Sequence, residues 1–126
     1  MFYIKVRGEF SAAHRIVGYP GKCGSIHGHR WEVIVEVKVD RLNKIGMGMD
    51  FSILKEKLQN IINSLDHRYL NEIEPFSSVN PTAENIAKFI YYALKEQMGE
   101  DFRLCSVEIF EGANSSVRYI EETTDA

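Results

Sequence analysis

The sequence has little cysteine, no excess of positive charge and no long apolar run, and each shortage excludes a class of protein. Two cysteines among 126 residues are too few for the disulfide framework of a small secreted domain. Fifteen Lys and Arg against 18 Asp and Glu give a net charge of −3, which disfavours non-specific nucleic-acid binding. No apolar stretch approaches the roughly 20 residues that cross a bilayer.

The length and composition are those of one ordinary globular domain. With 44% hydrophobic and 26% charged residues, we expect a single domain over residues 1–126. The first residues lack the charged-then-apolar layout of a signal peptide. Together with the low cysteine count, this predicts a reducing, cytoplasmic setting.

Apolar residues alternate in two stretches near the N-terminus and again near the C-terminus, which predicts strands. The first pair covers 2–14, with a bulge or bend at Gly8, and about 27–40. In the last third, Cys105 shares its parity with Val107 and Ile109 and is expected in the core, and a final strand runs over 116–121.

Two helices are predicted between these strand pairs from i, i+3, i+4 apolar spacing. One covers about 51–64 behind an Asp50 N-cap, and the other begins after Thr82 and stops at Gly99. The order ββααββ predicts an α+β fold with a four-stranded antiparallel sheet and both helices on one face. Its open edges predict association into a ring of subunits.

Three histidines indicate a metal site. His27 and His29 lie two apart at the start of a strand, so both imidazoles project from one face and supply half of a tetrahedral zinc shell. His14 ends the preceding extended stretch and offers a third ligand. Three protein ligands leave an open position, as in catalytic zinc sites. The alternative for each residue alone is an ordinary polar histidine.

Cys23 lies in a glycine-rich loop beside Lys22, where a cation would lower the pKa of its thiol toward a reactive thiolate. It is alternatively a fourth zinc ligand, which would make the site closed and structural. Asp66 and His67 could pair as orienting carboxylate and base. Alternatively, His67 could lie near the C-terminal end of the first helix, where it interacts favourably with the helix dipole.

Glu111 shares its parity with the apolar residues of its strand, so its carboxylate is predicted to point toward the buried side of the sheet. A carboxylate there needs a partner, and a planar ligand with adjacent N–H donors would supply one. Solvation at the strand end, before Gly112, is the alternative.

Five short motifs follow one another along the chain: Phe10-Ser11-Ala12-Ala13-His14, Cys23-x-x-x-His27-Gly28-His29, Leu65-Asp66-His67-x-Tyr69-Leu70-Asn71, Asn80-Pro81-Thr82-Ala83-Glu84-Asn85 and Glu111. Taken in this order, they resemble those of the 6-pyruvoyltetrahydropterin synthase family over nearly the whole chain. The residues Tyr69-Leu70-Asn71 and Asn80-Pro81-Thr82 make the chain most like the 6-carboxy-5,6,7,8-tetrahydropterin synthase branch of the queuosine and preQ0 pathway. The resemblance implies the tunnelling fold (T-fold), in which trimers form a barrel and usually pair into hexamers.

The resemblance also implies the metal and the thiol chemistry. The zinc ligands would be His14, His27 and His29, and Cys23 would be the catalytic proton acceptor. A related group of enzymes, which makes 6-hydroxymethyl-dihydropterin, has glutamate in place of the cysteine motif. Residues 23–26 of this chain contain no acidic residue, which disfavours that activity.

Further residues receive roles in the same way. The resemblance makes Asp66 and His67 a proton relay, makes Glu111 the anchor for the pterin N–H groups and part of that relay, and places Thr82 in the pterin pocket. A triphosphate needs basic partners, and the candidates are Lys22, Arg15, Arg30 and Arg68.

The implied reaction converts 7,8-dihydroneopterin triphosphate to 6-carboxytetrahydropterin, acetaldehyde and triphosphate, with Zn²⁺ as cofactor. One alternative is a 6-pyruvoyltetrahydropterin synthase that stops after triphosphate elimination. A non-enzyme alternative is a zinc-stapled binding module, in which zinc only stabilises the fold.

Overall fold

A computed structural model describes residues 1–99 and 102–122, except for the side chain of Cys23. The strands are β1 (Phe2–His14), β2 (His27–Val39), β3 (Arg68–Tyr69), β4 (Arg103–Glu111) and β5 (Ser116–Tyr119), and the helices are α1 (Phe51–Ile62) and α2 (Ala83–Met98). Within these residues, neither helix has the length and apolarity that crossing a membrane requires.

The five strands form one sheet in the order β3-β1-β2-β4-β5. β1 and β2 pair antiparallel without interruption from Phe2 opposite Val39 to His14 opposite His27. The predicted four antiparallel strands and two helices are confirmed. β3 is an addition, a parallel pairing of two residues with Ala12 and Ala13 at the edge of β1, too short to show any apolar period.

Both helices cover the same face of the sheet. Even-numbered residues of β1 and odd-numbered residues of β2 point to that face, where Phe10 packs over Trp31 with ring centroids 6.1 Å apart. α1 lies against β1, and α2 lies against β4 and β5. Asp50 and Thr82 cap the two helices by accepting backbone N–H groups, as predicted.

Gly8 does not form the predicted bulge, because it pairs in register with Val33. A Cβ at Gly8 would lie 2.6 Å from Ile62 Cδ1 and 3.1 Å from Leu58 Cδ2. The glycine therefore allows α1 to approach the sheet closely.

We expect Gly8→Val to destabilise the protein by about 1–3 kcal/mol, because a branched side chain would overpack this contact. Urea unfolding measures the difference. Tyr3→Val is the matched control, because Tyr3 lies on the same strand and is 56% exposed. Equal stability of the two variants would contradict the close packing of α1 on β1.

The irregularity in the sheet lies in β4 instead. The register with β2 shifts between Glu36 and Val37, which pair with Ser106 and Leu104 and leave Cys105 without an opposing residue. Cys105 is consequently half-buried, so the prediction that it belongs to the core is wrong. Partial burial still raises the pKa of its thiol.

Candidate metal centre

Strand pairing brings three histidines and one glutamate to the same end of the sheet. His14 and His27 are directly opposed on β1 and β2, His29 follows on the same face, and Glu111 at the end of β4 faces Trp31. One side-chain donor atom from each of the four, chosen among the ring nitrogens and the carboxylate oxygens, lies within 4.8 Å of the others. This group could therefore hold a metal ion.

The Glu111 carboxylate faces all three rings. Its Oε1 lies 2.9 Å from His29 Nε2, 3.5 Å from His14 Nε2 and 3.9 Å from His27 Nε2. The predicted direction of Glu111, toward the helix-covered face, matches this arrangement. Its proximity to the histidines was not anticipated, although its pairing partner Trp31 lies only two residues beyond His29.

Backbone carbonyls orient two of the rings. His14 Nδ1 lies 2.7 Å from the Pro81 carbonyl oxygen, and His27 Nδ1 lies 2.7 Å from the Ser25 carbonyl oxygen. When Nδ1 carries the proton and donates it to a carbonyl, Nε2 is left with a free lone pair. Metal-binding histidines are commonly fixed by such outer hydrogen bonds.

His14 carries the strongest sign of a missing partner. Its side chain is almost fully buried, and among the described residues its Nε2 is a buried polar atom that forms no hydrogen bond; Glu111 Oε1, at 3.5 Å, does not form one. Burial lowers the pKa of His14, so the ring is neutral at neutral pH, which is the form that binds metal. A metal ion would satisfy this nitrogen, whose isolation otherwise costs about 1–3 kcal/mol.

Trp31 forms the floor of the cluster. It is fully buried, and its indole N–H donates to the Ala12 carbonyl at 3.2 Å. Its ring meets His14 and His29 edge-on, with centroids 4.9 and 5.5 Å apart. The histidines therefore rest on the last layer of the hydrophobic core, which limits how far they can move.

A cavity of about 280 Å³ opens beside the cluster. His14, Thr82 and Glu111 share its wall with Ile16 and Tyr19. Thr82 reaches this position because it caps α2, accepting the Asn85 N–H at 3.1 Å. The structure thus brings together the predicted metal ligands and both residues predicted to bind the pterin.

Asp66 and His67 lie elsewhere, at the β1 edge of the sheet. Asp66 Oδ1 accepts the Ser11 N–H at 2.9 Å and lies 3.0 Å from His67 Nδ1. The hydrogen bond from Ser11 is the main reason why the pKa of Asp66 is lowered. α1 ends at Ile62, and the Asp66 N–H donates to the Ile62 carbonyl at 2.9 Å, so this turn is held by both the helix end and β1.

His67 is the exposed member of that pair. It has a left-handed backbone (φ 57°) and a side chain that is 81% exposed. Together with Arg30 and Arg68 it lines a second, open cavity of about 510 Å³. His29 lines this second cavity as well, whereas Thr82 and Glu111 line the first.

Cys23 lies in the 3₁₀ turn Lys22–Gly24, and its side chain is outside the described residues. The backbone of this turn is tightly folded, because a Cβ at Gly24 would lie 2.5 Å from the Tyr19 carbonyl oxygen. Among the basic candidates, Arg30 is already bound to Glu9, with Nε donating at 3.0 Å, and this carboxylate raises the pKa of Arg30.

Known proteins are similar to this chain over most of its length. A curated relative from Synechocystis, a 6-carboxy-5,6,7,8-tetrahydropterin synthase, is 40% identical over 124 residues, covering 94% of this chain and 93% of its own. A dihydroneopterin monophosphate aldolase from Pyrococcus furiosus is 35% identical over 108 residues, covering 84% and 86%.

Solved structures show the same fold. The Caenorhabditis elegans 6-pyruvoyl tetrahydropterin synthase superposes with a TM-score of 0.85 at 28% identity, over 96% of each chain. The family model described as 6-pyruvoyl tetrahydropterin synthase matches residues 3–122. The chain therefore belongs to the 6-pyruvoyl tetrahydropterin synthase family.

Proposed function

We propose that this protein is a zinc-dependent 6-carboxy-5,6,7,8-tetrahydropterin synthase of queuosine and preQ0 biosynthesis. It would convert 7,8-dihydroneopterin triphosphate and water to 6-carboxytetrahydropterin, acetaldehyde and triphosphate. The observation that carries the proposal is the histidine cluster with an unsatisfied His14 Nε2, beside a cavity that His14, Thr82 and Glu111 line. The 40% identical relative of that name supports the branch.

The metal in this proposal is Zn²⁺, held by His14, His27 and His29. Three neutral imidazoles with an open position are a donor set that catalytic zinc uses. When bound, zinc would act as a Lewis acid toward a side-chain hydroxyl of the substrate. The carbonyls of Pro81 and Ser25 would keep two rings in the metal-binding orientation.

Glu111 and Thr82 would bind the pterin. A carboxylate accepts two parallel N–H bonds, and the amino-pyrimidine ring of a pterin presents adjacent N–H groups. Glu111 is half-buried beside the cavity, so this partner would offset part of the cost of its desolvation.

Proton transfer would fall to Cys23 and to His67, which Asp66 orients. The hydrogen bond from Ser11 lowers the pKa of Asp66, and an ionised carboxylate beside Nδ1 favours one tautomer of His67. Cys23 and His67 would exchange protons with neighbouring carbons of the substrate side chain as triphosphate departs.

Assembly would bring these groups together, and we propose a cytoplasmic homo-hexamer of two trimers. The sheet ends in β3 on one side and β5 on the other. When sheets join edge to edge in a ring, the edge with His67 in one copy meets the β5 edge of the next. Glu111 is the last residue of β4 before the turn to β5, so it lies near that second edge.

The test is a product assay with 7,8-dihydroneopterin triphosphate. We expect acetaldehyde and triphosphate in equal amounts, and loss of both when a chelator removes the metal. Triphosphate without acetaldehyde would instead identify a 6-pyruvoyltetrahydropterin synthase, the activity named for the C. elegans structure. Undiminished turnover after verified metal removal would contradict zinc dependence.

A further inference from the structure

Two asparagine side chains hold the start of the loop between His14 and His27. Asn71 accepts the Arg15 N–H at 2.9 Å and donates to the Arg15 carbonyl at 3.0 Å. Asn80 does the same for Val17, accepting its N–H at 2.9 Å and donating to its carbonyl at 3.0 Å. Each amide therefore satisfies both backbone groups of one residue, as a neighbouring β-strand would.

These amides come from the segments that carry the other candidate site residues. Asn71 follows β3 and lies four residues after His67. Asn80 precedes Pro81, whose carbonyl orients His14, and its own carbonyl accepts the N–H of Thr82 at 2.9 Å. The same loop is thus tied to both segments at once.

Among the described residues, the other backbone hydrogen bond in this stretch is a long one, from the Tyr19 N–H to the Ile16 carbonyl at 3.4 Å. The side chains of Arg15 and Val17 are exposed, so apolar packing contributes little to holding them. Ile16 between them lines the cavity beside His14. Holding residues 15 and 17 by their backbone therefore sets both the cavity wall and the path of the chain toward the turn that contains Cys23.

We propose that Asn71 and Asn80 are positioning residues for the metal centre: as a two-amide clasp they hold the loop after His14 in place beside the metal-binding histidines. Only the expected effect of these two residues on turnover rests on the proposed function. The orientation of His14 and of the loop backbone is a property of the folded chain, and it can be measured without substrate.

The sharpest variants are Asn71→Asp and Asn80→Asp. Aspartate keeps the acceptor but loses the donor and places a negative oxygen against a backbone carbonyl. Asn43→Asp is the matched control: Asn43 Oδ1 accepts the N–H groups of Ile45 and Met47, both at 3.0 Å, in a different loop. Aspartate can make both of those bonds.

Amide hydrogen exchange and zinc affinity, measured by competition with a chromophoric chelator, are the two readouts. We expect exchange at Arg15 in Asn71→Asp and at Val17 in Asn80→Asp to accelerate roughly tenfold, because repulsion between the new carboxylate and the backbone carbonyl displaces the side chain and so breaks the N–H bond as well. Zinc should bind roughly tenfold more weakly, as for other outer-sphere changes. In turnover, kcat should fall while KM stays within about twofold.

The wild-type protein offers a test that no folding defect can obscure. The Val17 amide should exchange slowly although the residue is 59% exposed, and rapid exchange there would overturn the proposal. A lower melting temperature with zinc affinity equal to that of Asn43→Asp would also overturn it, because the role would then be structural only. If the wild-type protein fails to turn over the pterin, the exchange and zinc results still show whether Asn71 and Asn80 hold this loop in place.

Discussion

His29→Ala is expected to abolish stoichiometric zinc binding and, with it, measurable activity. The free energy of zinc binding at four-ligand sites is about 10–16 kcal/mol. Divided equally, this is roughly 3 kcal/mol for each ligand. Loss of one ligand should weaken binding at least about 100-fold. His29 suits this test because it is 31% exposed, so its removal leaves less of a core cavity than removal of the buried His14. Metal analysis after dialysis measures the loss.

Two further variants show whether this effect is specific. His67→Ala should retain zinc, because its ring lies outside the cluster and is 81% exposed. Glu111→Gln should also retain zinc but raise KM, if the carboxylate anchors the pterin. Full zinc occupancy in His29→Ala would contradict the three-histidine site, and loss of zinc in Glu111→Gln would make Glu111 a metal ligand.

Cys23→Ala is expected to give a folded, zinc-loaded and inactive protein. A positioned acid or base contributes about 10²–10⁴-fold to a rate, so kcat should fall by at least about 100-fold. Near-ultraviolet circular dichroism, zinc content and the acetaldehyde assay together measure this outcome. Cys105→Ser is the matched control, because Cys105 lies at the bulge in β4, away from the histidine strand ends, and should keep full activity.

The same variant separates the enzyme from a zinc-stapled binding module. If Cys23 were a fourth structural ligand, its removal would release zinc and unfold the chain, since metal binding and folding are coupled in such sites. Zinc loss together with a collapsed thermal transition in Cys23→Ala would therefore favour the module.

The sequence was sufficient for those parts of the site that follow from strand periodicity. The two-residue spacing of His27 and His29 fixed their common face, and the parity of Glu111 gave the direction of its carboxylate. Helix caps at Asp50 and Thr82 were equally local signals. Each of these properties depends on the neighbouring residues of one element and needs no knowledge of how elements pair.

Other features depend on pairing and escaped prediction. The contact between Glu111 and the histidines arises from the register of β4 on β2, and the bulge that leaves Cys105 only half-buried is a property of the same register. Gly8 was taken for a bend because the sequence does not reveal that α1 packs above it. The hydrogen bonds of Asn71 and Asn80 to the loop after His14 span 56 and 63 positions of sequence, so no local sequence pattern predicts them.

Trp31 gives the centre an optical property of its own. It is the single tryptophan of the chain, and it touches the rings of His14 and His29. The indole fluorescence of this protein therefore originates entirely from a ring that lies against two histidines of the candidate metal centre. Any ion or ligand that changes the field or quenching around those rings is reported by the native emission, with no label attached.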